Sequence, residues 1–269
     1  MTEPDVVIVI PARYDSSRYP AKPLAPLRGC TGKAKPLIQR SWEAAMRVPG
    51  ISAVWVATDH PEIADAARGF GANVAMTSSA CRNGTERCSD ALAQIGGEPD
   101  LIVNLQGDAL LTPPHFVTSL VDLLTGCGDI AVATPALRCD AVHYAALQAD
   151  EAAGRVGGTT VVTDRAGRAL YFTKRVIPHF PPEAVIEGMT PVRLHVGVYA
   201  YTSAALRAYQ AAPVSPLERL EGLEQLRFLD LRLPVDVVDV VPPEWEIREL
   251  NNPSDIEPIE RALDLMELE

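Results

Sequence analysis

No stretch of this sequence stays apolar long enough to cross a bilayer; the apolar runs, such as Val6–Ile10, are strand-sized. The N-terminus, MTEPD, is acidic and lacks the basic-then-apolar layout of a secretory leader, so the cytoplasm is the expected compartment. Basic residues are in deficit: 24 Lys and Arg against 35 Asp and Glu leave a formal charge of −11. That balance argues against a general nucleic-acid binder and against adhesion to an anionic membrane. Cys30, Cys81, Cys88, Cys127 and Cys139 are odd in number and contain no C-x-x-C pair, which argues against a disulfide framework or a structural zinc site. The histidines (His60, His115, His143, His179, His195) show no metal-ligand spacing. Internal repeats and low-complexity linkers are also lacking.

What is present is material for a sizeable core, since 47% of the 269 residues are apolar. Strand-like runs at Val6–Ile10, Val54–Thr58, Asn73–Met76, Leu101–Leu105 and Ile130–Pro135 alternate with helical spacing at Leu37–Arg47, Pro61–Phe70, Glu86–Ile95 and Pro114–Leu124. Nearly continuous apolar strands between helices predict an α/β fold with a mainly parallel central sheet and helices on both faces. The rhythm changes after about Cys139. Thr160–Val162 and Ala169–Phe172 flank the turn Asp164-Arg165-Ala166-Gly167 and read as a hairpin. His195–Tyr201 and Val235–Val240 read as strands, Leu217–Leu229 and Pro253–Met266 as helices. The expectation is one domain over residues 1–269, with a β-rich subregion around 140–215.

In a parallel sheet, chemistry gathers at the carboxyl ends of the strands. Two strand ends carry suitable groups. Val6–Ile10 runs into IPARYDSSRYPAKPL, where Arg13, Arg18 and Lys22 follow Pro11 and Ala12. Arginine forks and a lysine beside backbone N–H groups suit phosphate oxygens, although surface arginines are often merely solvated. Leu101–Leu105 runs into Gln106-Gly107-Asp108, which leaves Asp108 open between an Asx-turn residue and a ligand for a hard divalent ion such as Mg²⁺. NGTER (Asn83–Arg87) places Asn83, Gly84, Thr85 and Arg87 at a helix start. GCTGKAK (Gly29–Lys35) and GFGAN (Gly69–Asn73) lack the spacing of a P-loop or a dinucleotide fingerprint and read as loops. HVGVYAY sets His195, Gly197, Tyr199 and Tyr201 on one strand face, where a partly buried structural histidine is an equal alternative.

Taken in order, IPARYDSSRYPAKPL, ATDH (Ala57–His60), NGTER, LQGD, LYFTKRVIP, HVGVYAY and SPLERLEGLEQLR resemble the cytidylyltransferases that make CMP-KDO, KDO being 3-deoxy-manno-octulosonate. The resemblance runs from Val6 to about Arg261. It implies a GT-A-like nucleotide-diphospho-sugar transferase fold, CTP and a small acidic acceptor as substrates, Mg²⁺, pyrophosphate release and a homodimer. It assigns Arg13, Lys22 and Asp108 to catalysis and Asp108 with Asn251 to the metal. Pro11, Ala12, Arg13, Arg18, Lys22, Asn83, Gly84, Thr85, Arg87 and Gln106 would bind the nucleotide. Gln106, Lys174, His195, Tyr199, Glu224 and Gln225 would face the acceptor.

The departures bear on the acceptor. Asn251, in LNNPSD, stands where the family has a metal-binding aspartate; Ala109 and Leu110 replace an acidic residue and a proline. Thr173-Lys174-Arg175 replaces a Ser-Arg pair, GGTTVV replaces a lysine-containing strand, and RGCTGKAK lengthens the loop after the opening motif. Loss of a carboxylate at the metal, with the CTP side retained, favours an acceptor that supplies its own negative charge. A phosphonate such as phosphonoformate is therefore expected slightly ahead of KDO. The rivals are a non-catalytic nucleotide-binding protein, for which Asn251 is the only support, and a sugar-phosphate nucleotidyltransferase using UTP or GTP.

Overall fold

The computed structural model describes residues 4–15, 19–126 and 130–269. Arg18 and Cys127 lie outside the described residues. The chain divides into two compact units, residues 1–121 with 243–269, and residues 122–242.

The first unit contains β1 (Val6–Ala12), β2 (Pro26–Arg28), β3 (Ala34–Pro36), α1 (Leu37–Met46), β4 (Ala53–Thr58), α2 (Pro61–Gly69), β5 (Asn73–Met76), α3 (Gly84–Ala91) and β6 (Leu101–Leu105). α4 (Pro114–Gly126) carries the chain across the boundary between the units. Strand order is β5-β4-β1-β6, all parallel, with Ala12 opposite Thr58 and Thr58 opposite Met76. Every residue of β1 and β6 is buried, as β-branched, two-sided strands require. Parallel order brings the ends of β1, β4, β5 and β6 to one edge. Local chemistry sets the helix starts there. His60 accepts the Glu62 N–H and Pro61 follows it, opening α2. Asn83 accepts the Glu86 N–H at 2.8 Å and opens α3 at Gly84, two residues earlier than periodicity implies.

The inserted RGCTGKAK segment forms the hairpin β2–β3, tied down on three sides. Cys30 donates its N–H to Leu268 O, Arg28 donates its N–H to Glu260, and the buried Arg40 guanidinium reaches Leu27 O, Lys33 O and Glu269 O. Beneath the hairpin a buried cluster joins Leu27, Leu37, Leu110, Leu111, Leu250, Ile259 and Leu263, the last two from the closing helix near the C-terminus, residues 256–265.

The second unit contains β7 (Val132–Asp140), α5 (Ala141–Ala152), β8 (Thr160–Thr163), β9 (Ala169–Thr173), β10 (Met189–His195), β11 (Val198–Thr202), α6 (Ser203–Ala211), α7 (Pro216–Glu221), α8 (Leu226–Asp230) and β12 (Val235–Asp239); the closing helix of the first unit is α9 (Ile256–Leu265). Here antiparallel pairing dominates. β10 and β11 pair antiparallel with β7, β8 with β10, and β9 with β8, while β12 runs parallel to β7. The parallel pattern expected from the sequence therefore belongs mainly to the first unit.

Three sequence expectations need correction in this unit. The strand read over Ile130–Pro135 runs on through Pro135 to Asp140. The single strand read over His195–Tyr201 is two: β10 ends at His195, Val198 turns its N–H back to Val196 O, and β11 begins. The single helix read over Leu217–Leu229 breaks at Gly222, whose φ of 63° ends α7 in the left-handed conformation. Among the described residues no helix is long and apolar enough to cross a membrane, and Cys30, Cys81, Cys88 and Cys139 are free thiols.

Candidate active site

At the strand-end edge of the first unit, Pro11 and Ala12 are buried and Arg13 is exposed. Past the turn, Lys22 forms an ion pair with Asp108; the two side chains keep 18% and 17% of their surface. The loop after β6 thus carries a carboxylate held directly against a cation from the loop after β1. Gly107 makes this approach possible, because a Cβ there would stand 2.6 Å from Pro11 O. Ser41 of α1 fixes the same turn by donating to Gly107 O at 2.8 Å.

The start of α3 packs against the same turn. A Cβ on Gly84 would lie 2.8 Å from Gln106 Nε2 and 3.0 Å from Asn104 Nδ2, so glycine lets α3 close on Gln106. Thr85 and Arg87 are buried. Arg87 donates from Nη1 to Thr77 Oγ1 at 2.6 Å and from Nη2 to Asp59 Oδ2 at 3.0 Å. Asp59 Oδ1 accepts the Tyr14 N–H at 3.3 Å, and the Tyr14 ring stacks on His60 with centroids 3.7 Å apart. Sequence reasoning quoted Asp59 within ATDH and Tyr14 within the opening motif without giving either a role, and did not single out Thr77, although Asp59 follows β4 as Asp108 follows β6.

Asn251 donates its N–H to Asp255 and its Nδ2 to Glu249. Its neighbour Leu250 shares the buried cluster of Leu110 and Leu111, just past Asp108, and Trp245 Nε1 donates to Leu111 O at 2.9 Å. Among the described residues no three His, Cys, Asp or Glu side chains gather as a metal site. Asp108 and the neutral amide of Asn251 are oxygen donors of the kind a hard divalent ion takes, its shell characteristically completed by water and phosphate oxygens.

In the second unit, His195 Nε2 lies 2.9 Å from Thr134 Oγ1, which also lies 2.8 Å from Val198 O. The Thr134 hydroxyl has one proton to share among the imidazole and the carbonyls of Val196 and Val198, so the role of His195 Nε2 follows its tautomer. Burial pushes the imidazolium down to about 3, and the ring is neutral at pH 7. Tyr199 donates to Gln225 Oε1 at 3.2 Å; Gln225 is 1% exposed and its Nε2 has no partner among the described residues. Lys174 donates its N–H to Glu221, which also accepts from Thr173 and Tyr171, and its Nζ would stand 3.0 Å from a Cβ at Gly222. Burial opposes ionisation of Glu221, but those three hydrogen bonds hold its pKa below the ordinary value. Glu224 is half-buried and its carbonyl accepts the Tyr209 hydroxyl at 3.2 Å. Glu221 lies inside the SPLERLEGLEQLR motif, but no role was assigned to it.

A family model described as cytidylyltransferase matches residues 7–232. The 3-deoxy-manno-octulosonate cytidylyltransferase of Maricaulis maris is 40% identical over 235 residues, 87% of each chain. The mitochondrial enzyme of that name from Arabidopsis thaliana is 37% identical, over 96% of this chain and 83% of that protein. The 8-amino-3,8-dideoxy-manno-octulosonate cytidylyltransferase of Shewanella piezotolerans is 39% identical, over 84% of this chain and 86% of its own length. Among solved structures, a CMP:2-keto-3-deoxy-manno-octonic acid synthetase complexed with CTP is similar with a TM-score of 0.82 and 33% identity, covering 98% of this chain and 100% of that one.

Proposed function

The chain belongs to the cytidylyltransferase family of CTP-dependent nucleotidyltransferases, and from that premise we propose that its acceptor is a 3-deoxy-2-keto sugar acid of the manno-octulosonate type. The acceptor hydroxyl attacks the α-phosphorus of CTP in line, a new P–O bond forms, the bond to the β-phosphate breaks, and pyrophosphate leaves. Charge grows on the leaving group, so the protein's task is positioning and neutralisation. Arg13 and Lys22 supply fixed positive charge where the first strand ends, with Asn83, Gly84, Thr85 and Gln106 framing the nucleoside. His195, Tyr199 and Gln225 face the acceptor, joined by Lys174 and Glu224. A divalent cation, read here as Mg²⁺, would be held by Asp108 with Asn251 as a neutral donor, and when bound it neutralises phosphate charge. The observation that carries this reading is the pairing of Lys22 with Asp108 across two strand ends. Each charge stands in for what the other would meet on substrate binding: a cation beside Asp108 and an anion beside Lys22.

Sugar acid takes precedence over the phosphonate expected from the sequence, because the relatives above are named for manno-octulosonates or their amino analogue. One feature favours the phosphonate: Asn251 supplies no charge where the family's carboxylate would. Pyrophosphate release with CTP and Mg²⁺, measured against KDO, 8-amino-3,8-dideoxy-manno-octulosonate and phosphonoformate, separates the two. A kcat/KM at least tenfold higher for a sugar acid is expected; a preference for phosphonoformate overturns it, and no release with any acceptor returns the chain to nucleotide binding alone. Asn251→Asp should lower the Mg²⁺ concentration for half-maximal rate about tenfold, by adding a charged oxygen to the shell. An unchanged Mg²⁺ dependence removes Asn251 from the metal's surroundings. The same reading makes the enzyme a cytoplasmic homodimer, and light scattering that finds only monomers overturns that assembly.

A further inference from the structure

We propose that Asp59 is a positioning residue that locks the phosphate clamp to helix α3, setting where Arg13 stands through the backbone of Tyr14. The inference rests on the reading of the β1 loop as a CTP clamp. Asp59 directly follows β4, which lies between β1 and β5 in the sheet. Its two oxygens face opposite neighbours. Oδ1 accepts the Tyr14 N–H at 3.3 Å, one residue past Arg13, and Oδ2 accepts Arg87 Nη2 at 3.0 Å. Arg87 in turn reaches Thr77 Oγ1, just past β5, at 2.6 Å. One carboxylate and one guanidinium thereby tie the ends of β1, β4 and β5 to the helix that begins at NGTER.

Burial gives the bridge its rigidity. The Arg87 side chain is 3% exposed and that of Asp59 14%, so neither charge can relax into water and each needs the other. Tyr14 is held a second way, its ring stacked on His60 at 3.7 Å and 19°. Arg13 itself is exposed, and a clamp on an exposed arginine works only if its backbone does not drift. Pinning the next residue at both its N–H and its ring lowers the ordering cost of gripping a triphosphate. The Arg87 side chain is 3% exposed, with Nη1 and Nη2 each bonded within the protein, so the bridge casts it as serving the nucleotide through Asp59.

Chemistry explains why this position needs an acid. Both neighbours of Asp59 are donors, and a carboxylate accepts from both. An asparagine turns its NH₂ toward one of them whichever way it flips, setting donor against donor.

Asp59→Asn is therefore the test. Expected is a rise of at least tenfold in KM for CTP, with KM for the acceptor within twofold of wild type. The penalty of Arg13→Ala should shrink several-fold in the Asp59→Asn background, because the clamp is already slack there. Tyr14→Ala keeps the N–H but removes the stack, and should raise KM for CTP by a smaller factor in a protein that keeps its fold, so a poorly folding Asp59→Asn leaves this second measurement decisive. An unchanged KM for CTP in either folded variant, or strict additivity of Asp59→Asn with Arg13→Ala, overturns the bridge. Calorimetry with CTP and Mg²⁺ on the wild type keeps two failures apart. No CTP binding sinks the clamp reading itself; binding by wild type and variants alike sinks only the role of Asp59.

Discussion

Replacing Gly107 by alanine tests the active-site geometry most directly. Gly107 lies between Gln106 and Asp108, and a Cβ there would sit 2.6 Å from Pro11 O and 3.6 Å from Pro11 C. The obstacle is backbone of the buried strand β1, not the end of a flexible side chain, so the neighbour cannot swing aside. Real Cβ atoms come no closer than about 3.0 Å to such an atom, and the β6 loop must retreat by roughly half an ångström. Overpacking of this kind costs about 1–3 kcal/mol. The retreat is shared by Asp108, one residue on, and by the Ser41 bond to Gly107 O. Displacement of a positioned charge by about 1 Å costs on the order of 10²-fold in rate, so half of that should lower kcat roughly tenfold. Pyrophosphate release gives the rate and thermal denaturation the stability. Gly69→Ala is the control, since it finds nothing within 4 Å at a helix end and should leave kcat unchanged. A Gly107→Ala enzyme with wild-type kcat would refute the claim that close approach of these two strand ends sets the site.

Two further outcomes follow from charged or titratable groups in the second unit. Glu218 holds Arg227 through bonds of 2.6 and 2.7 Å, and Arg227 is 1% exposed with its guanidinium 3.9 Å above the Tyr209 ring. Glu218→Gln strands that charge, and thermal or denaturant unfolding should register a loss of about 3–5 kcal/mol; less than 1 kcal/mol would show that the pair is solvated. His195 titrates near 3 in the folded protein against an ordinary 6.5. The unfolded chain takes up that proton first as pH falls, so the stability from neutral His195 is fully present above about 6.5 and is lost toward 3. His195→Gln should flatten the stability profile between those values, and an unchanged slope would contradict desolvation of the imidazole.

Legibility in the sequence followed the range of the interactions involved. β1 and β6 are runs of buried residues that no helix period explains, and each announces itself along with the residues at its end, Arg13 and Asp108. α2 and α3 carry their own caps in His60 and Asn83. Non-local pairing was hidden. That β10 and β11 both pair with β7 depends on a turn at Val196–Gly197 inside what reads as one alternating strand. α5 escaped notice because only Leu147 on it is buried, leaving no apolar stripe to read. Asp59 stood inside ATDH, but its bridging role was hidden by range: its partners lie 45 and 28 residues away and meet it only once β1, β4 and β5 are side by side.

The buried polar groups themselves separate structure from function. Glu218 and Arg227 satisfy each other, as do Asp59 and Arg87, and such pairs ask nothing of a ligand. Two buried groups in the second unit are met incompletely, and they differ in their means of escape. Asp236 Oδ2 has no partner among the described residues, but burial raises the carboxyl's pKa, so it sheds its charge more readily than an ordinary aspartate. Gln225 Nε2 has no partner either, and an amide cannot titrate. An unmet buried donor costs about 1–3 kcal/mol. Its Oε1 is occupied by Tyr199, so flipping the amide only exchanges one mismatch for another. A side chain that can neither protonate nor flip its way to satisfaction gains by meeting an acceptor atom from outside the protein, and the oxygens of a sugar acid are such atoms. The acceptor-side role proposed above for Gln225, beside Tyr199, draws its support from this unmet donor.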